Sequence, residues 1–581
     1  MDDNNPEISL IIDDQVFKAK RNDLIEHSDF FRAMFTGNYV ERERKQIFIE
    51  VVDAASMTII LRYINIGLID LSEFDLSTIG DLAVAAGFLQ ITELTKQIEY
   101  CLEQQLTLAN WLEVKEVACN AALVKLEQST VVFGLFSFSK METENIQSLD
   151  KLYWYLAHPY LNLESELQVF KFGLKWLREH EMGANTLLVV ICCLDLKRIS
   201  IEEIIEIRDL ITDFANSLAE RVIECIYKLL LEYDLSLDTI KEKKEELCLL
   251  YTEKVYTEVL NLVKESVERK LKFTPAVPMW SNKDKKPEVS QNYLFTYTED
   301  AGFERWMEVA ERNLWGWNIT AWTPTQIVVV CGEYGRGSGI FMKAVKIYDV
   351  FKKEWTQHGV QLPARRHAGV VVVDDSLYLL GGVGAFRVVL DSAVVYNLKG
   401  RTFRSIAKLP DAVQAPAVCV HNDEVYVTGH RNIYKYEEIG QTDRWTKVLE
   451  MDITPGYLVS FKGYIYVAQC YFPSLLRFKP GVDDSLQQIA SFCHPPRAIC
   501  NLGYRLIAVT CSGDTSTDVL CVEELHIVGD GHYNQNTDLL WSQTGSVFGV
   551  NPSGSCAVVM TMPEINPNVS PYHQRYIVMY G

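Results

Sequence analysis

The chain has 581 residues, with 77 Asp and Glu against 56 Lys and Arg and a formal charge of −21. That length exceeds one hydrophobic core and implies several domains, while 48% hydrophobic and 23% charged residues exclude a fibrous or disordered chain. The acidic balance excludes a nucleic-acid footprint, because phosphate binding needs clustered Lys and Arg, so the expected partners are proteins.

The opening Met1-Asp2-Asp3-Asn4-Asn5-Pro6 has neither the basic nor the apolar region of a secretory signal. The longest clean apolar stretch, Leu187 to Leu194, is far shorter than the roughly 20 residues of a spanning helix. No membrane partner is expected, and the chain reads as a soluble protein of the cytoplasm, with the nucleus as a second compartment. The 14 cysteines show no C-x-x-C and no Cys/His spacing of a zinc site. They read as buried thiols in a reducing compartment.

Ile8 to Ile12 and Gln15 to Ala19 read as two strands around the turn Asp13-Asp14. Ser28 can cap a helix with Phe31, Met34 and Phe35 on one face. A third strand, Ile47 to Val51, precedes three amphipathic helices at Ser56 to Ile64 (stopped by Gly67), Leu76 to Leu89 and Thr92 to Leu106. Strands first and helices after make an α+β domain. The run Val16-Phe17-Lys18-Ala19-Lys20-Arg21, Leu24 and Ser28-Asp29-Phe30-Phe31-Arg32-Ala33-Met34-Phe35 resembles the BTB signature. Tyr63-Ile64-Asn65-Ile66-Gly67 and Ala85-Ala86-Gly87-Phe88-Leu89-Gln90-Ile91 follow in the order of that family. Lys20 stands where the family usually has His, and Glu7 where it usually has Asp. Few residues precede the first strand, so the family's swapped N-terminal segment is expected to be short or missing and a BTB homodimer weakened.

From Asn110 to about Leu271 the apolar positions repeat at 3.6, as in Val169, Phe172 and Trp176 after Ser165-Glu166, and in Leu218, Val222, Cys225, Ile226 and Leu229. This is an all-α block, and Leu152, Tyr155-Leu156, Tyr160-Leu161, Ser165-Glu166, Val169-Phe170 and Trp176-Leu177 are similar to the BACK domain. The charges from Lys241 to Lys270 read as a solvated helix surface. Lys272 to Gln291, with Pro275, Pro278 and Pro287 and no periodicity, reads as a linker.

Beyond Asn292 short β-branched and aromatic strands take over, with a period of roughly 50 residues. Apolar strands recur at Ile327 to Val330, Leu377 to Leu380, Val425 to Val427, Tyr464 to Val467 and Leu506 to Val509. Aromatic pairs follow as Tyr348 with Trp355, Tyr396 with Phe403 and Tyr436 with Trp445. Tyr297 and Trp306 supply half a blade, which Cys556 to Met560 and Tyr576 to Met579 are expected to complete, closing a propeller of about six blades. Arg365-Arg366-His367-Ala368-Gly369, Tyr378-Leu379-Leu380-Gly381-Gly382, Tyr396 and Phe403 resemble a kelch repeat.

The sequence is therefore identified as a multidomain chain resembling the BTB-BACK-kelch family, with a BTB domain at 1–107, a BACK-like domain at 108–271, a linker at 272–291 and a kelch β-propeller at 292–581. The resemblance implies no catalysis and no cofactor. Gly335-Arg336-Gly337-Ser338-Gly339 lacks the helix and the Lys-Ser/Thr of a phosphate loop. What the resemblance implies is an adaptor whose BTB domain docks cullin-3 and whose propeller holds a protein substrate for ubiquitin transfer; the alternative is an actin-associated scaffold with BTB self-association. By position in the family, Tyr39 and Glu41 are the cullin contacts. Arg336, Phe386, Arg387, Arg431, Tyr471 and Phe472, in loops after second strands, together with Arg366 and Arg497 at repeat starts, are the target contacts.

Overall fold

A computed structural model describes residues 6–215, 217–281, 293–309, 313–440, 442–512, 519–525, 537–544, 548–550, 554–567 and 571–580. The chain forms two compact units, one of Met1–Lys270 with Pro563–Gly581, the other of Leu271–Met562.

In the first unit β1 (Glu7–Ile12) and β2 (Gln15–Lys20) pair across Asp13 and Asp14, whose φ of 45° and 61° give the two-residue turn that matches strand twist. Helices α1 (Arg21–His27) and α2 (Asp29–Thr36) meet at Ser28, whose hydroxyl accepts from the Phe31 amide at 3.1 Å and donates to the Leu89 carbonyl. Strand β3 (Gln46–Phe48) adds in parallel to β1. Helix α3 (Ala54–Ile66) starts on the Asp53 cap and ends at Gly67, at φ 80°, a left-handed stop that glycine takes without a Cβ clash. Helices α4 (Leu76–Phe88) and α5 (Thr92–Gln104) follow. Leu10, Leu24, Phe31, Ile60, Leu82 and Leu94 are fully buried. The same core runs on into Val114 and Ala118 of α6 (Trp111–Asn120), Leu123 at the start of α7 (Val124–Phe136) and Leu126 within it, so the packing is continuous across residues 107 and 108.

Helices α8 (Leu149–Leu156), α9 (Glu166–Glu179), α10 (Leu187–Cys192), α11 (Ile201–Leu210), α12 (Leu218–Glu232), α13 (Leu237–Glu242), α14 (Lys244–Leu250) and α15 (Glu253–Lys264) complete the helical block. At its centre Arg269 and Glu166, each with a side chain 1% exposed, form a bidentate ion pair at 2.9 Å. Arg269 also donates to the carbonyls of Leu156, His158 and Cys193. Helix α16 (Pro571–Tyr580) belongs to this unit, and the strand expected at Tyr576 to Met579 is thereby corrected. Glu258 of α15 accepts from Arg575 and from the Tyr576 hydroxyl.

The second unit holds β4 (Phe273–Ser281), β5 (Tyr293–Thr298), β6 (Gly302–Glu308), the short β7 (Leu314–Trp315), β8 (Asn318–Thr323), β9 (Gln326–Val330), the short β10 (Glu333–Tyr334), β11 (Val345–Asp349) and β12 (Glu354–His358). Next come β13 (Gly369–Val373), β14 (Ser376–Leu380), β15 (Ala393–Asn397), β16 (Thr402–Ile406), β17 (Val418–His421), β18 (Glu424–Thr428), β19 (Asn432–Ile439) and β20 (Thr442–Glu450). The last are β21 (Tyr457–Phe461), β22 (Tyr464–Ala468), β23 (Ser474–Phe478), β24 (Gln487–Ser491), β25 (Pro496–Asn501), β26 (Leu506–Cys511), β27 (Val519–Glu524), β28 (Asp538–Thr544), β29 (Phe548–Val550) and β30 (Cys556–Val559).

Five sheets, β8-β9-β11-β12, β13 to β16, β17 to β20, β21 to β24 and β25 to β28, are four-stranded and antiparallel, and β4, β5 and β6 make a sixth with β29 and β30. The inner strands touch in the cycle β8, β13, β17, β21, β25, β30 and back to β8, which is a closed six-bladed propeller. The segment expected to be a linker is corrected over Phe273–Ser281, which is β4, paired to β5 on one side and to β30 and β29 on the other; 282–291 lie outside the described residues. The aromatic pairs sit directly opposite one another on third and fourth strands, Tyr348 with Trp355 at 5.1 Å and Tyr436 with Trp445 at 5.2 Å. Tyr378 meets Tyr436 of the next blade edge-on at 5.8 Å. The cysteines form no disulfide, and Cys119 and Cys493 are exposed rather than buried.

Two outcomes follow from the buried polar groups. Arg269→Ala strands Glu166 in the core and should cost about 3–5 kcal/mol, read as a lower urea midpoint for the helical unit. Glu166→Gln with Arg269→Met recovers only part, because three carbonyls still lose their donor. Burial holds His158 and His573 at about 4, well below the ordinary 6.5; nearby Arg269 and Lys115 add to the lowering at His158, against its bond to the Glu564 carbonyl, and Glu265 opposes it at His573. Above pH 6.5 both states are neutral, whereas between 6.5 and 4 only the unfolded chain takes up these protons. Each histidine should therefore cost on the order of 1–2 kcal/mol as pH falls from 7 to 5, and His158→Gln should flatten the fall in Tm over that range.

Candidate interaction surfaces

On the α+β domain, Tyr39 opens a single 3₁₀ turn, Val40–Glu43, and is 60% exposed. Its ring lies over Gly37, where an added Cβ would come within 2.9 Å of the ring and 2.6 Å of the Ala33 carbonyl. Arg21 fixes the frame: its guanidinium donates to the carbonyls of Phe35 and Arg42, both at 3.1 Å, and stacks 4.8 Å from the Phe35 ring. Glu41 is half-exposed, 4.0 Å from Arg44. Val40, Phe48 and Val51 are exposed apolar side chains of the same stretch of chain. The sequence pointed to the Tyr39 turn by its place in the motif. It missed Phe48, whose alternation with buried Ile47 and Ile49 was the available signal.

In the propeller the antiparallel order of every blade sends the loops after second strands, and the connections between blades, to one face of the ring. Arg336 lies between β9 and β11, Phe386 and Arg387 between β14 and β15, Arg431 between β18 and β19, and Tyr471 and Phe472 between β22 and β23. All six are exposed, Phe386 at 98%. Arg336 stacks 4.4 Å from the Trp315 ring, and Gly337 in its loop is 3.9 Å, measured from a built Cβ, from the Arg387 guanidinium. These two loops are neighbours.

Arg366 and Arg497 differ from the other six. Arg366 pairs with the buried carboxylate of Glu333, and its side chain is largely covered. Burial pushes the Glu333 carboxyl up, but backbone donation from Gly339 and Gly337 and the Arg366 charge outweigh this and hold it below the usual range. The glycine-rich loop thus wraps an anion of its own chain, the Gly339 amide donating to Glu333 at 2.9 Å, and Arg366 positions the loop that displays Arg336. Burial, with the charges of Arg366 and Arg336, lowers the pKa of His367 beside them. Arg497 is half-buried on β25, with its carbonyl accepting from the Tyr457 hydroxyl at 2.8 Å. Among the described residues no group of three or more His, Cys, Asp or Glu could hold a metal ion, and no helix is long and apolar enough to cross a membrane.

The propeller repeat is held from inside by Arg365, fully buried, which donates to the carbonyls of Leu379, Gly381 and Ser392 at 3.1–3.2 Å. Gly381 and Gly382 follow at φ 57° and 93°, with added Cβ atoms 2.8 and 2.7 Å from the carbonyls of Val413 and Arg366. Neither position admits a side chain. Phe386, by contrast, takes φ 55° and ψ 23° while exposed to solvent, a backbone state that costs a bulky L-residue roughly 1–2 kcal/mol. Phe386→Asn, which tolerates that state and loses no buried area, should raise propeller stability by about 0.5–1 kcal/mol; an unchanged or lower denaturant midpoint at constant slope would count against the strain.

A BTB/POZ domain family matches residues 3–106, and a kelch motif family matches residues 364–410, the second blade with Arg365. Kelch-like protein 15 of Gallus gallus is 26% identical over 178 residues, 30% of this chain and 36% of that protein. Kelch-like protein 26 of Danio rerio is 26% identical over 190 residues, 32% of this chain and 31% of that protein. Armadillo BTB Arabidopsis protein 1 of Arabidopsis thaliana is 30% identical over 144 residues, 24% of this chain and 19% of that protein. The chain therefore spans about a third or less of the length of these relatives in alignment. With a BTB domain, a helical block and a six-bladed kelch propeller in that order, it has the domain plan of the BTB-kelch family.

Proposed function

We propose that the chain is a substrate adaptor of a cullin-3 ubiquitin ligase, its BTB domain docking the cullin and its propeller face holding a protein target. Kelch-like BTB proteins generally serve in this way. The observation that supports the reading best is the display of aromatic side chains on rigid frames in both units: Tyr39 over Gly37 in one, and Phe386, Tyr471 and Phe472 on one propeller face in the other. Exposed aromatics beside arginines are the usual anchors of protein interfaces. An adaptor of this kind carries no chemistry; it raises the effective concentration of the target beside the ligase. The work is done in the cytoplasm, with the nucleus as a second compartment, and a BTB homodimer would present two propellers.

The test is calorimetric titration of the chain with a cullin-3 N-terminal domain. Tyr39→Ala removes an exposed ring that supports no core, so the fold survives while binding weakens by about 2 kcal/mol, roughly thirtyfold. Glu41→Ala should cost less, since its carboxylate is half-exposed. Wild-type protein that fails to bind at tens of micromolar would turn the reading toward the actin-associated scaffold.

A further inference from the structure

Beyond its last propeller strand the chain returns to the helical unit. Helix α16 packs against α8 and α10. The Tyr153 hydroxyl of α8 is 2.9 Å from His573 Nδ1, His158 Nε2 donates to the Glu564 carbonyl at 3.0 Å, and Lys270 faces the Glu564 carboxylate at 3.7 Å. From α15, Glu258 receives Arg575 at 2.5 and 2.6 Å as well as the Tyr576 hydroxyl. Glu258, His573 and Tyr576 are buried, while Val578 and Met579 on the same helix are exposed.

Three features make this a seat with a removable occupant. Two of the walls, α8 and α10, are held together by contacts that do not involve α16, because the Arg269 and Glu166 network ties the end of α8, the start of α9 and the end of α10 together. A ten-residue helix is too short to persist alone in water, so α16 folds as it docks. The seat is chemically selective, since a buried carboxylate demands a cation and hydrogen-bond donors from whatever covers it. We propose that the groove between α8, α10 and α15 is a receptor for a short helix bearing an Arg–Tyr pair, filled in cis by α16 and open to the same segment in trans when α16 is weakened. In cis the effective concentration is of millimolar order, so wild-type protein keeps its own helix in place. Cys192, at the end of α10, is buried, and because α10 packs against α16 its thiol should become more accessible when the helix leaves.

The test uses the full chain carrying Arg575→Ala and Tyr576→Ala, with a fluorescent peptide of residues 563–581 as the probe. The variant should alkylate Cys192 with iodoacetamide at least tenfold faster than wild type, read by peptide mass mapping. It should bind the probe at least tenfold more tightly, and bound probe should slow Cys192 alkylation again. Adding Glu258→Gln should abolish capture. A second pair guards against loss of fold: Glu258→Arg or Arg575→Glu alone should expose Cys192, and the two together should restore its protection. Wild-type labelling of Cys192 in the first variant, faster labelling without capture of the probe, or no rescue in the charge-reversed pair would each overturn the proposal.

Discussion

The helical unit depends on one buried guanidinium. Arg269 makes its five contacts with Glu166 and with the carbonyls of Leu156, His158 and Cys193, so a single side chain closes the ends of α8 and α10 and the start of α9. The Glu166 carboxylate accepts from the Asp195 amide besides, and Asp195 in turn accepts from the Arg269 amide at 3.2 Å. Taking two charges out of water is costly. The arrangement repays that cost only because nearly every donor and acceptor is used, which binds the geometry of three helices to the last residues before the propeller.

None of this network was legible in the sequence, where Glu268-Arg269-Lys270 looks like any solvated charge run and the partner lies 103 residues away. What was legible is local: the turn at Asp13-Asp14, the Ser28 cap, the Gly67 stop and the second strand of five of the six blades all rest on patterns within a few residues. Tyr576 to Met579 failed for the same reason. A run of four such apolar residues, Tyr, Ile, Val and Met, suits a strand or a short helix equally, and contact with Glu258 decides. Phe273 to Ser281 failed because Pro275 and Pro278 argue against a central strand. In β4 each proline sits where one of the two neighbouring ladders is interrupted: Pro275 pairs with β30 before the β5 ladder begins, and Pro278 pairs with β5 between the stretches held by β30 and β29.

The candidate surfaces divide along the same line. Loop position within a repeat was enough to place Arg336, Phe386, Arg387, Arg431, Tyr471 and Phe472 on one face. It could not show that Arg366 is spent on Glu333 from the preceding blade, or that Phe386 and Arg387 are held in left-handed backbone at φ 55° and 62°. Those properties arise from contacts between loops, and contacts between loops leave no period in a sequence. Arg21 is a similar case, since the carbonyls it clamps at Phe35 and Arg42 are neighbours only after α2 has formed.

The way the ring closes carries a consequence for synthesis. Strand β4 is complete at Ser281, but the inner partner that covers its edge, β30, begins at Cys556, 556 − 281 = 275 residues later. At a translation rate of about 5–20 residues per second the edge of β4 stays open for roughly 14–55 s. Through that interval a nascent chain offers unpaired backbone to any other strand it meets, and the two prolines of β4, which weaken it as a template for foreign pairing, are the protection it carries while it waits.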